Sequence, residues 1–174
     1  MDRLRRFGFL LAEVSRRYVR RFEQRAQEMS LTLPTCKVLA SLERHEGISQ
    51  SKLAELTSIE PMAMVRILDR MEADGSVERR PDPVDRRARS LYLTPKSKPT
   101  LDEIWRLAAL TRAEAFAGIS QSERNVFLGV LERLEKNLRQ LEDLPVEAAL
   151  AVAASVSAPN LVSGKRRSRR LTTE

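Results

Sequence analysis

The residues of this chain best suited to chemistry are its arginines, above all the run Asp85-Arg86-Arg87-Ala88-Arg89 and the pair Arg66 and Arg70. A guanidinium presents a planar fork of donors that grips a phosphate, or the O6 and N7 edge of guanine, with two hydrogen bonds. Asp85 and Arg87 are two residues apart, so in an extended segment they share one side, and the carboxylate can hold the guanidinium in one orientation. Over the whole chain 31 Lys and Arg stand against 24 Asp and Glu, a net charge of +7 that favours a polyanion such as DNA, RNA or an acidic membrane surface without choosing among them. The run Lys165-Arg166-Arg167-Ser168-Arg169-Arg170 adds five positive charges and no negative ones. It suits phosphate contact without base readout, or simply a solubilising tail.

Other chemistry is poorly supplied. One cysteine and one histidine leave neither a disulfide framework nor a cluster with metal-ligand spacing. Cys36 sits among apolar residues, with Lys37 the only close base and no second cysteine to resolve a sulfenate, and reads as a small buried hydrophobe. His45, just before Gly47, reads as a residue at a helix end. There is no Gly-rich phosphate loop, nucleophile elbow or HExxH, and the carboxylates scattered along helical segments read as solvated charge, so neither an enzyme nor a cofactor is expected. No apolar run approaches the roughly 20 residues needed to cross a bilayer. The start, Met1-Asp2-Arg3, leads into a charged amphipathic pattern, which points to a cytoplasmic protein.

The elements that must position the arginines follow from periodicity. Phe7, Leu11, Val14, Tyr18 and Phe22 recur every three or four residues from Leu4 onward, forming one stripe on a long helix, and Arg16, Arg17, Arg20 and Arg21 occupy its other faces. Those four read as a solvated face or as an attraction for an acidic effector. A second helix begins near Pro34, turns Val38, Leu39 and Leu42 inward and stops at Gly47. A third starts at Ser49 as N-cap and is expected to bury Leu53, Ala54 and Leu56. After Thr57-Ser58-Ile59 a fourth runs from Pro61 to Gly75, with Met64, Leu68 and Met71 inward and Met62, Ala63, Arg66 and Arg70 free to meet a ligand. Arg70 also lies near Asp69, Glu72 and Asp74, so a structural ion pair is an equal expectation for it.

The period then changes. Ser76 to Arg79 and Ser90 to Thr94 read as short strands around a turn-rich stretch, Pro81-Asp82-Pro83-Val84-Asp85, giving a hairpin with a charged tip. A fifth helix opens at Thr94-Pro95, kinked or delayed by Pro99, and carries Leu101, Ile104, Trp105, Ala108 and Phe116 toward a core. Ser120-Gln121-Ser122-Glu123 is a capping box for a sixth helix with Phe127, Val130, Leu131, Leu134, Leu138 and Leu141, ended by Pro145. The predicted fold is mainly α with a small β-hairpin wing, a helix-turn-helix followed at once by a hairpin.

The run Asp85-Arg86-Arg87-Ala88-Arg89-Ser90-Leu91-Tyr92-Leu93-Thr94 resembles the wing signature of the MarR family, and Ile59-Glu60-Pro61 with Val65 through Glu72 resembles its recognition helix, particularly in the SlyA-like branch. The likeness spans roughly residues 4 to 144. It implies a transcriptional regulator that binds double-stranded DNA as a homodimer on a pseudo-palindromic operator. The implied division is a helical dimerisation layer from residues 1–30 and 95–144, a winged helix-turn-helix DNA-binding lobe at 31–94, and a C-terminal extension at 145–174 carrying the basic tail. DNA contacts are then assigned to Met62, Ala63, Arg66, Arg70, Asp85, Arg86, Arg87 and Arg89, with Arg87 entering the minor groove, Asp85 orienting it, and Arg86 or Arg89 on phosphates. The resemblance further implies release by a small aromatic acid or thioester-like effector in a crevice that Tyr18, Cys36, Leu39 and Trp105 would line. The rival from another class is an adaptor that keeps the winged helix only as a protein-binding scaffold.

Overall fold

Backbone donors at the helix starts beside Thr32, Ser49, Glu60 and Ser120 are satisfied by the side chains of those residues, which marks where these elements begin. The structure is a computed structural model that describes residues 3–82, 89–142 and 144–145, the side chain of Arg3 excepted. It divides into two compact units, Met1–Gly118 and Ile119–Glu174.

In the first unit a 3-10 turn, Arg3–Arg6, leads into α1, Phe7–Glu28. Only the later part of its apolar stripe is covered: Tyr18 and Phe22 are half-buried and Ala26 is buried, whereas Phe7, Leu11 and Val14 are exposed. Ser30 takes a left-handed φ of 57° and returns the chain, and the Leu31 N–H bonds the Ala26 carbonyl at 2.9 Å. Thr32 caps α2, Leu33–Arg44, which buries Cys36, Val38, Leu39 and Leu42. Ser49 accepts from the Lys52 N–H and starts α3, Gln50–Thr57, after a two-residue strand β1, Ile48–Ser49. Leu56 departs from expectation: it is exposed, and Thr57 takes the inward place beside Leu53 and Ala54, its hydroxyl bonded to the Leu53 carbonyl at 2.7 Å. On so short a helix the face, not the apolarity of one residue, decides burial.

Ser58, with φ 52°, turns the chain into α4, Pro61–Ala73, whose Met64, Leu68 and Met71 are buried. Gly75, φ 70°, closes it, and two antiparallel strands follow, β2, Val77–Pro81, and β3, Arg89–Leu93, with Arg79 opposite Leu91 and Arg80 opposite Ser90. The expected hairpin is thereby part of a three-stranded sheet in the order β1-β3-β2. The delay expected from Pro99 takes the form of a 3-10 turn, Pro95–Ser97, ahead of α5, Lys98–Ala115. Leu101, Ile104, Leu107 and Thr111 of α5 are buried, while Trp105, Ala108 and Phe116 are half-buried. In the second unit α6, Gln121–Arg139, begins with the capping box, Ser120 and Glu123 each bonding the other's backbone N–H. None of its residues is buried, and Val126, Leu128, Val130 and Leu138 are exposed.

Candidate nucleic-acid interface

Three buried side chains spaced four and three apart pin α4 to the core, and this rotation sets what it presents outward. Met62 is 62% exposed, Arg66 and Arg70 are exposed, and Ala63 is half-buried. The Glu60 carboxylate accepts from the Ala63 N–H at 2.9 Å, and the amides of Met62 and Ala63 hold its carboxyl below the usual range. That carboxylate occupies donors at the helix start which would otherwise face an anion, so the arginines one turn on are left as the cationic feature of α4.

Neither Arg66 nor Arg70 makes an ion pair with another described residue. The ion pair expected for Arg70 goes elsewhere: Asp69 and Glu72 both bind the guanidinium of Arg79 on β2, Asp69 at 2.6 Å. Glu72 also accepts from the Arg79 backbone N–H at 3.2 Å. On the opposite face of the same strand Arg80 lies over the ring of Tyr92, 4.4 Å from its centroid, and pairs with Glu78. The Tyr92 hydroxyl stands 3.0 Å from where a Cβ on Gly47 would lie, which together with a φ of +78° requires glycine there. Ser90 donates to Asp82 at 2.7 Å, and Arg89 is exposed opposite Pro81. Asp85, Arg86 and Arg87 lie outside the described residues, as does the basic run at 165–170.

Sequence reasoning missed Arg79, because its partners are seven and ten residues away across a turn and no local period links them. It also missed a groove of about 300 Å³ where the start of α3 meets the start of α4, lined by Gln50, Ser51, Glu55 and Pro61. The N-cap at Ser49 was the available signal for that groove.

Of the four crevice candidates, Leu39 and Tyr18 line separate cavities. Leu39 lines a cleft of about 440 Å³ with Leu31, Ile67, Met71, Arg70 and Lys96. Tyr18 lines a different one, about 330 Å³, between α1 and α5 with Arg17, Arg21 and Glu114. Cys36 is buried, and burial pushes its thiol up to about 11, away from thiolate chemistry. Trp105 donates its indole N–H to Glu43 of α2 at 2.6 Å. Along α1, Arg16 and Arg17 both pair with Glu13, and Arg21 and Arg25 both pair with Glu114. Among the described residues no group of three His, Cys, Asp or Glu side chains could hold a metal ion, and no helix is long and apolar enough to cross a membrane.

The family model described as MarR family matches residues 31–88, from the approach to α2 through the strands. The crystal structure of transcriptional regulator PA3341 is 34% identical, with a TM-score of 0.68 over 77% of this chain and 98% of its own. A MarR-family transcriptional regulator from Silicibacter pomeroyi is 27% identical, with a TM-score of 0.65 over 80% of this chain and 90% of its own. Bordetella bronchiseptica BpsR, a protein whose DNA binding is regulated by 6-hydroxynicotinic acid, is 25% identical, with a TM-score of 0.63 over 75% of this chain and 98% of its own.

Proposed function

Because the chain belongs to the MarR family, we propose that it is a transcription regulator that binds a pseudo-palindromic DNA operator as a homodimer, with α4 in the major groove and the wing at the adjacent minor groove. The observation that carries this is α4 itself, which is anchored by Met64, Leu68 and Met71 and presents Met62, Arg66 and Arg70, neither arginine in an ion pair with a described residue. Arg66 then grips guanine or phosphate, and Met62 offers apolar contact to thymine methyls. Arg87 enters the minor groove, oriented by Asp85, with Arg86 and Arg89 on phosphates. The run from Ile59 to Glu72 supports placing the chain in the SlyA-like branch.

The wing gives the direct test. Arg87→Ala is expected to cost about 1–3 kcal/mol of operator affinity. Asp85→Ala removes a negative charge, which by bulk electrostatics alone would tighten binding. Weaker binding by a folded Asp85→Ala protein, titrated on the same duplex at fixed salt, supports the orienting role, and tighter binding removes it.

A dimer is supported by apolar side chains left exposed on α1, Phe7, Leu10, Leu11 and Val14, and by the uncovered face of α6. These belong to the proposed dimerisation layer, residues 1–30 and 95–144. Sedimentation is expected to show a dimer at micromolar concentration, and a monomer that still binds DNA specifically overturns this arrangement. The effector is assigned to the cleft that Leu39 lines, where an apolar wall of Leu31, Ile67 and Met71 faces Arg70 and Lys96. That chemistry suits an aromatic carboxylate or a thioester-like acid, the class to which the regulator of BpsR belongs. A ligand there releases DNA only by preferring the conformation that misfits the operator, so operator DNA must weaken ligand binding by the same factor.

A further inference from the structure

Glu60 is an unusual residue to begin a helix. The side chains that cap helix starts best are short ones, Ser, Thr, Asp and Asn, and Thr32, Ser49 and Ser120 fill that place on α2, α3 and α6. On α4 the longer Glu60 folds back to accept from the Ala63 N–H at 2.9 Å, yet it stays exposed. The amides of Met62 and Ala63, with a smaller contribution from Arg66, hold its carboxyl below the usual range, so it is ionised at neutral pH. A carboxylate has about four lone-pair sites, so these amides leave it able to accept further hydrogen bonds. An oriented negative charge with acceptor capacity to spare thus stands at the leading end of the helix proposed to enter the major groove.

What such a group can recognise follows from the edges that bases show there. Guanine presents the acceptors N7 and O6, thymine presents O4 and a methyl group, and phosphates are anionic, so each repels a carboxylate or leaves it unpaired. Adenine offers an amino group but sets the N7 acceptor beside it. Cytosine offers its N4 amino group without a neighbouring acceptor, and is the base edge that a carboxylate satisfies best. Arg66 has the opposite demand, since a guanidinium fits the O6 and N7 of guanine. The two residues are six positions apart, about 9 Å along a helix rising about 1.5 Å per residue. Base pairs are stacked about 3.4 Å apart, so the two targets lie within about three base pairs of each other.

We infer that Glu60 is a specificity-determining residue, which makes the operator require a cytosine close to the guanine read by Arg66. This rests on the DNA-binding reading above. The charge on Glu60 keeps the tip of α4 off phosphates, and its bonds to the helix amides present the acceptor in a fixed orientation, which lowers the ordering cost of reading a base.

The test recovers duplexes from a randomised pool with the full-length wild type, Glu60→Gln and Glu60→Ser. Both variants keep a side-chain oxygen for the helix start, and serine is among the strongest caps, so melting temperatures check that each is folded. Wild-type duplexes are expected to carry a cytosine within about three base pairs of the guanine whose preference Arg66→Ala abolishes. Replacing that C·G pair by T·A should weaken wild-type binding about tenfold at fixed salt, and Glu60→Ser binding by less than about threefold. Glutamine accepts from adenine N6 while donating to N7, so Glu60→Gln should move the preference at this position from cytosine to adenine. Both variants lose a negative charge and should bind sonicated DNA at least as tightly as the wild type. A residue that only caps the helix gives no such change of base. If the wild-type duplexes carry no cytosine there, or both variants recover the wild-type bases at every position, the assignment is overturned while DNA binding stands. A wild type that recovers no duplex overturns the DNA-binding reading and this inference with it.

Discussion

Helices α1 and α4 are both rich in arginine, yet they treat the charge in opposite ways. On α1 the guanidiniums of Arg16, Arg17, Arg21 and Arg25, though not that of Arg20, are each met by a carboxylate, two on Glu13 and two on Glu114. Glu13 and Glu114 are held below the usual carboxylate range, chiefly by hydrogen bonds from Arg16 and Arg21 respectively, so the partners stay ionised at neutral pH. On α4 the carboxylates Asp69 and Glu72 are taken up by a residue of another element, Glu60 is engaged by backbone amides at the helix start, and neither Arg66 nor Arg70 is in an ion pair with a described residue. The comparison teaches that a count of basic residues does not locate an anion-binding surface; the placement of counter-ions does.

The sharpest way to break this contrast is to remove one arginine from each helix and titrate the operator. Arg66→Ala should weaken binding by about 1–3 kcal/mol, as expected for a specific contact. Arg17→Ala, which dissolves only an exposed ion pair, should change it by less than about 1 kcal/mol. Equal losses would mean that both helices meet DNA.

A smaller effect separates the helices by pH. Because the folded-state pKa of Glu114 is depressed, its pairing stabilises the protein above the ordinary glutamate value of 4.5, and that contribution is lost as pH falls further through the depressed value. The difference in melting temperature between wild type and Glu114→Gln should therefore shrink as pH is lowered below 4.5. A difference that stays constant into strong acid would show that the Arg21 and Arg25 pairs do not hold α1 to α5. The smallest effect concerns the turns. Ser30 and Ser58 both adopt positive φ, at the end of α1 and just before α4. Relief of left-handed strain in Ser30→Gly or Ser58→Gly, less the added freedom of glycine when unfolded, should raise stability in urea by about 0.5 kcal/mol.

Much of the fold was legible because the local signals are strong. Ser49, Gly75 and the Ser120 capping box act where they stand, and the spacing of Met64, Leu68 and Met71 was enough to orient α4. What escaped depends on partners far along the chain. Strand β1 has only two residues, too few for alternation to register, and it exists because β3 pairs with it, Ile48 against Leu91. Tyr18, Cys36, Leu39 and Trp105 were grouped by residue type and proximity to a basic helix, while tertiary packing sends them to different surroundings. The tie from Arg79 to α4 was invisible for the same reason.

The hydrogen bond from Trp105 to Glu43 gives the molecule its own optical reporter. Trp105 is the chain's single tryptophan, half-buried on α5, and its indole N–H is held by a carboxylate of α2, so emission comes from one site whose environment changes whenever those two helices shift. Unlabelled protein titrated with operator or with an aromatic acid should show any such shift as a change in emission maximum, with Glu43→Gln marking how the signal moves when the charged acceptor is lost.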